Sequence, residues 1–477
     1  MDHNLVEDLS TYKAKCLIPL FLPCIIAELV SFQPVFSFLF AWSASIFLFI
    51  YSINGPAKYI CTDLTPSFQV MRPIVLIQLI FVGLMSGTSI FYFMDHLGYY
   101  FWNDQGLTKF ELNEETYRLA MCQRLYLFAH ASFLFGIILR LKKRVEHRFS
   151  FSQDPEQYLI PGLLIALIAM LIFKRIPGLN QIAVILIPVP KIIAAVVLLK
   201  GFLTKRPMWI LFGSLVFCYS LYQATTTGYK EATFIHLIIL GFVFYPYYKQ
   251  LILWVMLPVL LTLLYILPTW NNTIRSDAWL AEGATEEAKA RAFERVFEED
   301  NDAILQDDSW QFLTNRFTEI NMFSKYVAHV PHSHPFYGTE ILESAFQALI
   351  PRFLWPLKPN TELQSMERVY EAGVVSRNSD VSAKTRPVVD GYLSAGYTGI
   401  FLIMIFYGIT CQGLANLAEA LFGGYQIGCV IIFNGLFQQL WRGNNLEFIL
   451  NNMLYGYMLM YFIFYTLRGI GIITKHH

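Results

Sequence analysis

Twelve apolar stretches, each about as long as a bilayer crossing requires, constrain this chain more than any motif in it. They fall near 16–32, 35–53, 73–94, 120–141, 158–174, 177–199, 207–223, 232–248, 250–268, 397–415, 425–441 and 447–467. Only helices and closed barrels satisfy every backbone group inside hydrocarbon, and uninterrupted runs of this length belong to helices. The expected fold is therefore all-α and polytopic, with about twelve transmembrane helices. With 55% of its 477 residues hydrophobic and 15% charged, the chain is too apolar for a set of soluble domains. Its formal net charge of zero suggests no nucleic-acid partner. The apolar run from Cys16 continues into further spans without a small-residue cleavage site, so no cleavable signal is expected. All seven cysteines lie in or near apolar stretches, which argues against a disulfide framework or a thiolate metal site.

Threading the twelve spans with the N-terminus inside puts fifteen cations on the cytoplasmic side, among them Lys13, Arg72, Arg140, Arg148 and Lys475. The short loops of the other side hold Lys109, Arg118, Arg124, Lys174, Arg175, Lys230 and Arg442. The positive-inside bias then places both termini in the cytoplasm and one long polar segment outside. Three regions follow: 1–268 with nine spans, 269–396 as a large, partly helical extracytoplasmic loop, and 397–477 with three spans.

Within the loop, residues 282–308 carry ten acids against Lys289, Arg291 and Arg295. Phe293, Val296, Phe297 and Ile304 recur there at helical spacing, which predicts one amphipathic acidic helix. Ile341, Leu342, Phe346, Leu349 and Ile350 predict one face of a short helix that Pro351 ends. Residues 309–396 balance eight acids with eight bases. The run Phe346–Pro359, FQALIPRFLWPLKP, places Arg352 and Lys358 among Trp355 and three prolines, a rigid basic turn suited to a bilayer surface.

No Walker A loop, dinucleotide fingerprint or HExxH occurs. His332 and His334 in PHSHP form a metal pair without a third ligand at helix spacing, so a surface turn is the default there. The positive signal is cationic groups against the charge bias: Lys174 and Arg175 ending the fifth span, Lys230 in a tight turn, Arg442 after Trp441. Arginine grips phosphate bidentately and lysine supplies a point charge, whereas simple snorkelling to headgroups is the bland alternative. Lys191, in IPVPKII, falls inside a span, where a lysine costs about 3 kcal/mol on insertion scales and marks a candidate site. Glu28, His130, Glu231 and His236 are lesser candidates, more often satisfied interhelical contacts.

The motifs R-F-T-E (Arg316–Glu319), P-F-Y-G (Pro335–Gly338) and L-I-P-R-F-L-W-P-L-K-P (Leu349–Pro359) stand in one large outer loop of a many-spanning chain. Together they resemble the Wzy-type oligosaccharide repeat-unit polymerases, as does the glycine-rich re-entry V-V-D-G-Y-L-S-A-G-Y-T-G (Val388–Gly399). The resemblance covers the layout and about a quarter of the chain in motif terms, with IPRxLWPxKP its most specific part. It implies a GT-C-like glycosyltransferase of the bacterial inner membrane, moving a glycan from undecaprenyl pyrophosphate to another lipid-linked repeat unit at the periplasmic face. Family members are thought to work without metal, so no cofactor is expected; the partners are the lipid-linked donor and acceptor, with a chain-length regulator in the membrane. Arg352 and Lys358 match the family motif and Arg316 its upstream arginine. Leu357 stands where the family often has Asp, and Lys230 where an arginine is more usual.

Transfer needs preorganised cations for the leaving pyrophosphate. Arg316, Arg352, Lys358, Arg386 and Arg377 are candidates in the loop, and Lys174, Arg175, Lys230 and Arg442 at membrane level. For the general base, Glu319, Glu340, Asp380 and Asp390 are in range, with Asp390 first because it precedes Gly391 and the tenth span. Trp355 and neighbouring aromatics suit sugar faces or, equally, an interfacial belt. Three alternatives stay open: an O-antigen-ligase-like transferase, a flippase using Lys191, Glu28 and His236 along a midplane path, and a non-catalytic envelope scaffold.

Overall fold

The computed structural model describes residues 11–102, 112–176, 180–226, 230–278, 286–297, 302–351, 354–378, 383–442 and 444–476. Each of the twelve apolar stretches is mainly helical. Nine helices among the described residues are long and apolar enough to cross a membrane: Pro34–Ile60, Leu76–His96, Glu114–Arg140, Pro155–Arg175, Ile182–Thr204, Pro207–Thr226, Lys249–Ile274, Pro387–Leu421 and Leu446–Gly469. The other three stretches give shorter helices, Leu17–Leu29, Glu231–Phe244 and Ile427–Leu436. Pro155–Arg175, Pro207–Thr226 and Lys249–Ile274 bury little of themselves. Leu251, Trp254, Leu257 and Leu261 lie exposed on the last of these, as suits a helix whose apolar surface meets lipid.

The chain forms two compact units, one of residues 1–98, 107–153 and 318–477, the other of 99–106 and 154–317. This grouping cuts across the three consecutive regions expected from the sequence. The reason lies in the packing of the first unit, where Pro387–Leu421 lies along Glu114–Arg140, so the C-terminal spans fold onto the early ones. That approach is close enough to exclude side chains. A Cβ at Gly136 would stand 2.3 Å from the Ile405 carbonyl oxygen, and one at Gly408 2.2 Å from that of Phe133.

The same unit gathers at one end several of the cations that charge bias assigns to one side. Lys13 Nζ donates to the carbonyls of Leu139 (3.2 Å) and Leu141 (2.7 Å), Asn416 Nδ2 to that of Arg140 (2.8 Å), and Arg148 N to that of Ala420 (3.1 Å). Strands β1 (Phe149–Phe151) and β2 (Ile473–Lys475) pair antiparallel here, with Ser150 opposite Thr474. Arg72, 4% exposed, chelates two carboxylates at this end: Nη1 and Nη2 meet Asp63 at 3.0 and 2.7 Å, while Nε and Nη2 meet Glu419 at 2.9 and 2.8 Å. Burial pushes the Asp63 carboxyl up, but the Arg72 hydrogen bonds and charge outweigh it and hold it below its ordinary range.

The 35-residue run Pro387–Leu421 is two helices across a break. Ala395 and Gly396 leave helical geometry, Gly396 at φ +58°, a conformation glycine adopts freely. The chain folds back so tightly that a Cβ at Gly399 would stand 2.0 Å from the Gly391 carbonyl oxygen. The break leaves helix-end carbonyls without partners, and the PFYG motif supplies two: Tyr337 N donates to Leu393 O (2.9 Å) and Gly338 N to Ser394 O (3.0 Å).

In the second unit the acidic stretch is two helices, Glu286–Phe297 and Asp302–Phe312, where one was expected. Its packed stripe is Ala288, Ala292 and Val296, whereas Phe293 and Phe297 are exposed and lie ring to ring at 4.6 Å. Small side chains at four-residue spacing let Glu286–Phe297 lie close on Lys249–Ala278, and the larger phenylalanines turn outward. Prolines divide the sixth stretch into Asn180–Leu186 and Pro188–Thr204, with Pro188 at a first-turn position that needs no N–H. Lys191, in the second piece, is buried.

Candidate functional site

The RFTE motif ends in Glu319, at the N-cap of helix Ile320–His329, and Arg386 occupies the N-cap of Pro387–Leu421. Two helix starts in the first unit thus bring together a carboxylate and a guanidinium about 67 residues apart in sequence. Arg386 Nε lies 2.7 and 2.9 Å from the two Glu319 oxygens, and Nη2 also pairs with Glu319. Its Nη1 donates to the main-chain carbonyl of Arg442 at 3.0 Å. The guanidinium is therefore fixed on three sides while remaining a quarter exposed.

Around this ion pair lies a small cleft of about 20 Å³. One wall is apolar, from Ile77, Ile80, Phe81, Leu84 and Met85. The lining also includes Glu319, Arg386, Trp441 and Arg442, with Met404 and Tyr407. Tyr407 is spent, its hydroxyl donating to Leu440 O. Trp441 is different: it is 3% exposed and its Nε1 has no hydrogen-bond acceptor among the described residues. A buried donor without a partner costs about 1–3 kcal/mol, so an acceptor brought to it would recover that loss.

Behind the ion pair, Asp390 is fully buried and outside the cavity lining. It accepts from the Thr385 hydroxyl and from Leu446 N at 2.7 Å, tying the start of Leu446–Gly469 to the start of Pro387–Leu421. Arg368 and Glu447, both buried, pair beside it, and Asn445 Nδ2 donates to Ser365 Oγ at 2.8 Å. Burial lowers the affinity of the Arg368 guanidinium for its proton, but Glu447 and Asp390 outweigh this and raise it. Asp390 thus anchors helices, and Glu319 is the carboxylate that reaches the cavity.

The other sequence candidates scatter. Lys358 Nζ donates to the carbonyls of Ala348 (3.0 Å) and Ile350 (2.9 Å), closing the end of helix Glu340–Leu349. Arg377 pairs with Glu367 on the surface and stands 5.7 Å from the Tyr370 ring centre. Trp355 is half-buried in the turn after that helix, outside the cavity. Lys174, Arg175 and Arg316 belong to the second unit and are exposed there; Lys230 starts a helix of the same unit. Arg352 and Asp380 lie outside the described residues. His334 stacks on Tyr337 at 4.3 Å, and no cluster of three metal-ligating side chains occurs among the described residues. Of the lesser candidates, Glu28 pairs with Arg124 at 2.8 Å, His130 with Gln78 at 3.2 Å and His236 with Ser220 at 2.8 Å.

Sequence reasoning missed Trp441 as a donor, since nothing in WRGNN shows that the indole lacks an acceptor. Arg72–Glu419 and Arg368–Glu447 were invisible for a related reason, because partners hundreds or tens of residues apart leave no local pattern. No curated protein and no solved structure matches the chain. The model of the family described as Domain of unknown function (DUF8712) matches residues 22–475, and the chain belongs to that family.

Proposed function

We propose that this protein is a membrane glycosyltransferase that polymerises undecaprenyl-pyrophosphate-linked oligosaccharide repeat units at the periplasmic face of a bacterial inner membrane. In this reading all twelve apolar helices are spans and residues 269–396 form the outer segment. What supports the reading is a cleft whose lining joins apolar Ile77, Ile80, Phe81, Leu84 and Met85 to Glu319, Arg386 and Arg442, with Trp441 beside them. A ligand with an apolar part and an anionic part suits such a lining, and the motif resemblance to repeat-unit polymerases narrows that ligand to a lipid pyrophosphate.

The reaction forms one bond and breaks one. An acceptor hydroxyl oxygen attacks the anomeric carbon of the donor glycan, and the carbon–oxygen bond to pyrophosphate breaks, its electron pair leaving with the phosphate. The hydroxyl proton passes to Glu319, which replaces Asp390 as the base because it reaches the cavity. Arg386 and Arg442 offset the charge developing on the leaving group, and Trp441 Nε1 donates to one of its oxygens. Arg386 needs no reorganisation, being already held by Glu319 and by the Arg442 carbonyl.

The test is extension of a synthetic undecaprenyl-pyrophosphate-linked repeat unit by the purified protein in proteoliposomes. Wild type should give a polymer ladder, Arg386→Ala none, and Trp441→Phe a rate lower by roughly 10-fold or more, as loss of one hydrogen bond to a charged group implies. Absence of a ladder with wild type, together with movement of the lipid-linked unit between leaflets, would move the protein to the transporter class. Buried Lys191 behind its proline-broken helix is the observation favouring that class.

A further inference from the structure

The segment whose sequence promised a basic turn presents an apolar surface. Helix Glu340–Leu349 packs against Leu446–Gly469 and buries Ile341, Ala345 and Ala348, so that of the residues expected on one apolar face Ile341 is buried while Phe346 and Ile350 are exposed. Phe346 is 60% exposed, Leu354 67% and Leu357 91%, with Ile350 and, on the following helix, Leu363 exposed as well. Leu446–Gly469, on which this helix rests, is itself of membrane-spanning length, and its own exposed residues include Leu454, Met458 and Phe462. The exposed leucines therefore belong to an element seated directly on a helix whose outer face is apolar. Lys358 adds a second observation. Its ammonium is turned inward onto the Ala348 and Ile350 carbonyls, the internal satisfaction that a helix end needs where water is scarce.

We infer that Phe346, Ile350, Leu354 and Leu357 form a membrane-inserting surface, and that its occupant is the acyl-chain layer of the leaflet beside Leu446–Gly469. The geometry is that of an interfacial element lying on a span, with Glu343, on the same helix face as Phe346 and Ile350, accepting from the Thr339 hydroxyl at 2.7 Å. The inference requires the long helices to cross a bilayer, and it stands whether or not the protein transfers sugars.

The full-length protein, reconstituted in nanodiscs of phosphatidylethanolamine and phosphatidylglycerol, tests it by photocrosslinking. The photoreactive amino acid p-benzoylphenylalanine is placed in turn at positions 346, 354 and 357, at position 325, exposed and polar on helix Ile320–His329, as the polar control, and at position 454 as the lipid-facing control. Phospholipid adducts at 346, 354, 357 and 454, detected by mass spectrometry, and none at 325 are the expected result. Lipid adducts at 454 alone would overturn the inference, as would crosslinks from 354 and 357 to a second copy of the chain. Leu357, being almost wholly exposed, tolerates replacement without a folding cost, so a negative result at that position bears on the surface itself.

Discussion

The contact between Gly136 and Gly408 should couple stability to the cavity in a way that two alanines can measure. A Cβ at either position would stand 2.3 or 2.2 Å from a carbonyl oxygen of the facing helix, so Gly136→Ala or Gly408→Ala must part the helices by roughly 1 Å, at an overpacking cost of about 1–3 kcal/mol. The two obstructions oppose the same approach. Once one alanine has parted the helices, the second finds space already made, and the double variant should cost barely more than the worse single one. Met404 and Tyr407, immediately before Gly408, line the cavity, so the same displacement should slow extension by up to roughly 100-fold. Unfolding of the four proteins in mixed micelles gives the free energies, and the proteoliposome assay gives the rates. Near-neutral single variants, or a double variant whose cost is the sum of the two, would refute the argument that backbone contact at these glycines sets the helix spacing.

Two further outcomes follow from the buried ion pairs. Because Arg72 holds the Asp63 carboxyl below its ordinary pKa, Asp63 contributes stability that is fully present above the ordinary carboxylate pKa of about 3.9 and lost as pH falls through the depressed value; the apparent melting temperature of Asp63→Asn should lie below wild type at neutral pH and converge with it in acid. Arg368→Met leaves Glu447 buried without its cation and should cost about 3–5 kcal/mol, whereas Arg368→Met with Glu447→Leu should recover most of that, measured by the same micelle unfolding; a double variant as unstable as the single one would count against the pairing.

How far the fold was legible depends on which residue property a pattern encodes. Apolar length is encoded locally, so all twelve stretches of sequence are mainly helical, and the expected start of the tenth span at 397 falls at the Gly396 break. What failed to read was direction. The spacing puts Phe293, Phe297, Phe346 and Ile350 on the apolar faces of their helices, yet they are exposed, and Ala288, Ala292, Ala345 and Ala348 join Val296 and Ile341 in the packed positions. In water a phenylalanine faces the core because the alternative is solvent. Beside a membrane the alternative is lipid, which is as apolar as the core, and close packing of small residues then decides the face.

The same reasoning bears on which of the sequence-nominated charges line the cavity. A cation in an apolar bundle is costly unless something in the chain answers it, and the structure answers most of them: Lys358 with two carbonyls, Arg377 with Glu367, Arg386 with Glu319. Whether a cation is answered is a poor criterion for binding, since Arg386 is answered by Glu319 and still lines the cavity. Exposure to a cavity is a better one, and among the nominated cations it retains Arg386 and Arg442. The criterion also admits a residue that charge could never have nominated. Trp441 is neutral and buried, yet its N–H is a donor left waiting beside two arginines. Trp441→Phe removes that donor but also leaves a void in a buried site, so its effect on binding is the part of the rate loss that remains after the stability loss, measured by the same micelle unfolding, is accounted for.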